Sequence, residues 1–183
     1  MALAPPFMTL ATQNPKEQEG TYPLPEAQLD RFLLKILIDY PSDAAQNALL
    51  ASVTTGQTGD ALNVNNVATI IKPQTILGIQ RVVASLRVDQ QVNDYAVDIV
   101  RQSREWSGIA IGAGPRGGIA LIRAARAQAL ISGRDFVTPD DVKAVSIAAL
   151  RHRITLRPEL VIEGQSADDV LTAMLQKVKA PRA

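Results

Sequence analysis

The chain has 183 residues, a net charge of +1, no cysteine and a single histidine. That balance gives no global reason to expect nucleic-acid binding, and it excludes disulfides, thiolate metal sites and cysteine nucleophiles. Hydrophobic residues are 46% and aromatics only 4%, so a packed core is expected, built from Ala, Val, Ile and Leu rather than from rings.

In chain order, Phe7 to Thr12 reads as a buried strand that stops at the polar Gln13-Asn14-Pro15. Pro23 and Pro25 break the chain before a short helix starting near Glu26. Leu33 to Ile38 reads as a second strand, closed by Asp39-Tyr40-Pro41. Two strands do not make a stable domain, so another chain or a preceding segment must complete this sheet. From Pro41 the pattern turns helical. Ser42 is the N-cap of a helix to Val53, and Thr54 to Asp60 is a Gly/Thr loop. Further helices are expected over Pro73 to Leu86 and Asp89 to Glu105, the second with Val92, Ala96, Ile99 and Val100 at helical spacing. Ser107 to Gly114 is a glycine-punctuated connector. Pro115 to Ser132 is an Ala/Arg/Ile helix ended by Gly133. Thr138-Pro139-Asp140-Asp141 is a capping-box-like start of a helix reaching about His152, and Ser166-Ala-Asp-Asp169 repeats that logic for a last helix ending near Val178. The fold class is therefore mainly α: residues 1–40 as an incomplete α/β remnant of two strands and a short helix, and residues 41–183 as an all-α domain.

Three features could carry chemistry. Asn14 sits just past the end of a strand, where open α/β sheets bind ligands; an Asn-Pro turn explains it equally simply. Arg31 lies between a helix and a strand at a possible subunit edge. An arginine supplied there in trans could stabilise a transferring phosphoryl group, or it could form a surface salt bridge with Asp30 or Glu26. Arg116 falls in the first turn of a helix opened by Gly114 and Pro115, where the macrodipole disfavours a cation unless an anion binds there too. At ~100° per residue, Arg116, Arg123 and Arg126 share an arc of roughly 80°, opposite Leu121, Ile122, Ala125 and Ala129. Ile119 and Leu130 project near that arc, and a solvated basic face remains the alternative.

Gly112-Ala-Gly114-Pro-Arg-Gly117 also matches G-x-G-x-x-G after Ile109-Ala-Ile111, with Asp135 near the spacing of a ribose-binding acid. The expected second parallel strand is missing and helices flank the unit, which argues against dinucleotide binding. No G-x-x-x-x-G-K-[ST] occurs. His152 has no second ligand at metal-binding spacing, and Trp106 reads as a packing anchor. No apolar run approaches the ~20 residues that span a bilayer, and the start lacks the marks of a signal peptide. A soluble cytoplasmic protein is the expectation.

The run from Ala11 to Phe32 resembles the signature of MoxR-family AAA+ ATPases. The likeness continues through Gly114 to Gly117, Arg123-Ala-Ala-Arg126, Gly133 to Val142 and His152-Arg153-Ile154, covering Phe7 to Val178. The resemblance implies that the chain is the C-terminal portion of such an enzyme. Asn14 would then match sensor 1, Arg31 the arginine finger acting on a neighbouring subunit's ATP, and Arg116 sensor 2 on a helical lid, with Gly114, Pro115 and Arg123 beside the nucleotide. It further implies ATP and Mg²⁺ as cofactors of the complete protein, a homo-oligomeric ring (a hexamer when complete), and a chaperone-like role in maturing protein complexes, including cofactor insertion. Partners with von Willebrand factor A domains and no nucleic acid are implied as well. The P-loop and the Mg²⁺-binding acidic motif should precede sensor 1. A chain without them is expected to bind ATP weakly or not at all and to be inactive alone. The alternative is a stand-alone helical binding or regulatory module that uses the arginine face for an anionic partner.

Overall fold

The computed structural model describes residues 4–13, 24–55 and 67–181. In chain order it has α1 (Glu26–Leu29), α2 (Asp43–Thr54), α3 (Pro73–Ser85), α4 (Gln90–Glu105), β1 (Ile109–Ile111), α5 (Pro115–Ile131), α6 (Pro139–Leu150), β2 (Thr155–Leu156), α7 (Pro158–Ile162) and α8 (Ala167–Lys177). The chain is mainly α, as the sequence predicts.

Local chemistry sets the helix boundaries. The Ser42 side chain accepts from the Ala45 N–H at the start of α2, and Asp89 accepts from Gln91 at the start of α4. Thr138 and Ser166 each form a complete capping box, with Asp141 and Asp169 reaching back to the cap, so two otherwise unpaired N–H groups are satisfied at each helix start. At the end of α5, Gly133 adopts φ 74°. The Gly133 N–H then reaches Leu130 and the Arg134 N–H reaches Ala129, a Schellman closure that an L-residue would strain.

The core lies among α4, α5, α6 and α8. Tyr95, Ile99, Leu121, Leu150, Leu171 and Met174 are the largest fully buried apolar side chains. α5 packs against α3, α4 and α6. Its buried face is mostly alanine, namely Ala120, Ala124, Ala125 and Ala129 around Leu121. Short side chains let neighbouring helices approach closely. Trp106 packs against this core, as expected.

Two corrections follow. Phe7 to Thr12 and Leu33 to Ile38 form no strand, and Phe7, Met8, Leu10, Ile36, Leu37 and Ile38 are all exposed. The apolar pattern is present, but a strand exists only as part of a ladder, and no described residue forms a ladder with them. The strands that the described residues do form lie in the segment expected to be all helical. β1 and β2 pair antiparallel, Ile109 opposite Leu156, and this small ribbon holds the connector before α5. The Gly/Thr loop falls mainly on residues 56–60, outside the described residues.

Candidate functional site

The N-terminus of α5 is held by the end of α4. Ser103, fully buried, donates to the Val100 carbonyl at 2.7 Å and accepts from the Ala113 N–H at 2.9 Å. Arg104 Nε donates to the Ala113 carbonyl at 2.8 Å. Both polar groups of the buried Ala113 are thereby satisfied by one turn of α4. Gly112 is what allows the approach: a Cβ there would lie 2.6 Å from the Arg104 backbone. Gly117 packs below, where a Cβ would meet Ala113 and Leu150 at 3.1 Å. These glycines of the G-x-G-x-x-G run serve helix packing. β1 runs antiparallel to β2 rather than opening a parallel βαβ unit, so the dinucleotide-binding alternative has no structural support.

Gly114 is the N-cap of α5 and Pro115 its first residue. Arg116 follows in that first turn, 53% exposed at the side chain, with Nη1 3.7 Å from Asp30 Oδ2. That distance is an ion pair without a hydrogen bond, at a surface where such pairs contribute little. Arg123 is exposed two turns further on, whereas Arg126 is half-buried. Leu121, Ala125 and Ala129 occupy the buried face as expected.

Asp30 closes α1, and its carboxylate has a stronger partner. Arg153 Nε donates to Asp30 Oδ1 at 3.0 Å, from a side chain only 3% exposed. The same guanidinium donates to the carbonyls of Asp30 at 2.9 Å, Phe32 at 2.6 Å and Leu33 at 3.2 Å, and to that of Ala149 on α6. Burial pushes the Arg153 guanidinium down, and Asp30 opposes that shift. His152 Nε2 lies 3.1 Å from the Phe32 carbonyl, so that nitrogen carries the proton and donates. Its Nδ1 is buried without a partner. Burial holds the His152 pKa below its ordinary value, the Phe32 bond opposing and Arg153 adding to the shift. The Lys35 N–H donates to the Ala148 carbonyl at 2.9 Å, extending the attachment.

Arg31, next to Asp30, is exposed and makes no side-chain hydrogen bond or ion pair among the described residues. It borders an open groove with Phe7, Thr9, Phe32 and Leu33. The surface salt bridge to Asp30 or Glu26 considered for it does not form. Arg116 thus approaches the carboxylate of Asp30, the residue that precedes Arg31, with Gly114 and Pro115 opening the helix there. Asn14 lies outside the described residues. Arg153 and Asp30 are the site residues that composition and periodicity do not reveal. The one available signal is that Arg153 adjoins the chain's sole histidine at the end of a helix.

This arrangement, a helical bundle whose α5 N-terminus meets a segment carrying an exposed arginine, fits a lid beside a piece of an ATPase domain. Residues 101–174 match the AAA lid domain, and residues 1–34 match the ATPase family associated with various cellular activities (AAA). The chain is 40% identical over 181 residues to YeaC of Bacillus subtilis, covering 99% of this chain and 55% of that protein. It is 37% identical to chaperone MoxR1 of Mycobacterium tuberculosis, covering 97% of this chain and 48% of that one, and 30% identical to protein MoxR of Methylorubrum extorquens, covering 97% and 56%. A crystal structure from Cytophaga hutchinsonii, described as a candidate ATPase, superposes with a TM-score of 0.87 at 35% identity, covering all of this chain and 56% of that one. The chain belongs to the MoxR family of AAA+ ATPases. It spans about half the length of the curated relatives it matches.

No helix among the described residues is long and apolar enough to cross a membrane. No cluster of three or more His, Cys, Asp or Glu among them could hold a metal ion.

Proposed function

We propose that this chain supplies the arginine finger and the lid of a MoxR-type enzyme that hydrolyses ATP in a homo-oligomeric ring and acts as a chaperone-like factor in protein-complex maturation. Residues 1–40 belong to the nucleotide-binding core and residues 41–183 to the lid. Arg31 is the finger, Arg116 is sensor 2, and Gly114, Pro115 and Arg123 lie toward the nucleotide. Asn14 is sensor 1. The word chaperone in the name of the mycobacterial relative supports the maturation role; partners with von Willebrand factor A domains remain part of the proposal.

One observation carries this reading. Asp30 turns away from its neighbour Arg31 to hold Arg153 and approach Arg116, leaving the Arg31 guanidinium exposed and uncompensated among the described residues. Phosphoryl transfer needs positioning and charge neutralisation more than covalent chemistry, and an arginine already engaged by a carboxylate would serve it poorly. In this reading Arg116 serves the nucleotide under its own lid and Arg31 the nucleotide of the neighbouring subunit. ATP and Mg²⁺ are, in this reading, cofactors of the complete protein.

In a full-length ATPase carrying this segment, R31A should lower turnover by about 10³-fold or more, and R116A should lower it strongly. Near-wild-type turnover in both would reject the assignments. By calorimetry the chain alone should bind ATP weakly or not at all, because no phosphate-cradling loop occurs in its 183 residues; tight binding would contradict that.

A further inference from the structure

We propose that Arg153 is a positioning residue for Arg31, tying the placement of the finger to the lid. The inference rests on the reading of Arg31 as the finger. Three of the Arg153 contacts are carbonyls that flank Arg31 in sequence: Asp30 on one side, Phe32 and Leu33 on the other. A planar guanidinium donating to all three, and to the Asp30 carboxylate, fixes the backbone on both sides of the finger. His152 donates to the same Phe32 carbonyl. The anchor itself is set by the lid core. Arg153 follows α6, its N–H is bonded to the Leu150 carbonyl, and its guanidinium also reaches Ala149. Both of those residues are fully buried.

A surface strut would not look like this. Arg153 is almost completely buried, while Arg31, whose position it determines, is exposed. The clamp leaves the Arg31 side chain itself untouched. It determines where the root of that side chain sits, and Arg116 approaches the same Asp30 from α5. Any movement of the lid core is therefore passed to Arg31 through the Arg153 fork.

The test uses R153Q, R153K, R31A and the R31A/R153Q double variant in a full-length ring ATPase carrying this segment. Misplacing a reacting group by an ångström costs on the order of 10² in rate, so R153Q should lower kcat about 100-fold with the KM for ATP nearly unchanged. Lysine offers one ammonium in place of the fork, and R153K should fall between R153Q and wild type. The double variant should be no slower than R31A, because the two residues act as a unit. In the same rings, the amides of Arg31, Phe32 and Lys35 should exchange hydrogen about tenfold faster in R153K, those of α8 being unaffected. If R153Q fails to melt cooperatively, R153K decides. Wild-type kcat in R153K, a rise in KM alone, unchanged exchange at these amides, or a multiplicative loss in the double variant would each overturn the proposal. Wild-type turnover in R31A would instead remove the finger reading on which it stands.

Discussion

Replacing Gly112 with alanine should destabilise the lid far more than the size of a methyl group suggests. The added Cβ would sit 2.6 Å from Cα and N of Arg104 and from the Ser103 carbonyl carbon. Carbon atoms in contact prefer about 3.5–4.0 Å, so the connector must move away by about 1 Å. The obstacle is helix backbone, which cannot rotate aside as a side chain can. Overpacking of this kind costs about 1–3 kcal/mol. The same movement pulls the Ala113 N–H from Ser103 Oγ, and a buried donor left unpaired costs about 1–3 kcal/mol. One relaxation bears on both, so they do not simply add; about 2–4 kcal/mol is expected, or roughly 6–12 °C in Tm for a chain of this size. Gly118 is the control. A Cβ there meets only Val100 Cγ2 at 3.8 Å, and removing a helical glycine gains about 0.5–1 kcal/mol. Thermal melts followed by far-UV circular dichroism should therefore move in opposite directions for G112A and G118A. A G112A melt within about 2 °C of the parent would refute the claim that the α4 backbone seats this connector.

Acid should reveal two further groups, both by linkage between protonation and folding. Burial alone would raise the Asp141 carboxyl, but the Arg134 guanidinium and the Thr138 N–H and O–H outweigh it and hold the group below its ordinary value. Its contribution is present above the unfolded value of about 3.9 and is lost as pH falls from there through the folded value; in urea titrations D141N should lose less stability than the parent across that window, and an identical loss would count against the pairing. His152 is also held low, by burial among Arg153, Lys35 and the partly opposing Asp30. Its contribution is present above about pH 6.5 and falls away below it, by at most about 1.4 kcal/mol per pH unit. H152Q keeps a donor for the Phe32 carbonyl without titrating, so its stability should be flatter between about pH 5 and 6.5; an equally steep profile would show that His152 is not the group responsible.

The helices α2 to α6 and α8 were legible, most of them because their ends are marked by local chemistry. Ser42, Thr138 and Ser166 cap where the sequence places them, Asp89 caps the helix expected to begin at it, and Gly133 stops α5. α7 escaped because five residues carry no periodicity, although its Pro158 at the first position and Gly164 at φ 79° form the start-and-stop signature of a short helix. β1 and β2 are three and two residues long, and their pairing spans forty-odd residues, which no local pattern reports. The apolar runs before Tyr40 show the opposite failure: the pattern is right for strands, but a ladder needs a neighbour that local sequence cannot supply. Arg31 and Arg116 stood out in the sequence by residue type and setting. Their common neighbour Asp30 and its partner Arg153, more than a hundred residues further on, did not.

Burial explains why Asp30 chooses as it does. Two arginines compete for its carboxylate besides its immediate neighbour, and they differ in solvent access: Arg153 is 3% exposed at the side chain and Arg116 53%. An exposed guanidinium keeps most of its hydration, so an ion pair adds little to its stability. A buried one has lost that hydration, and without a counter-charge and acceptors for its donors it would be strongly unfavourable. The carboxylate therefore goes where its absence would cost most, and the carbonyls of Phe32, Leu33 and Ala149 take up the donors that remain. What keeps Arg31 unpaired among the described residues is thus a consequence of where a different arginine is buried.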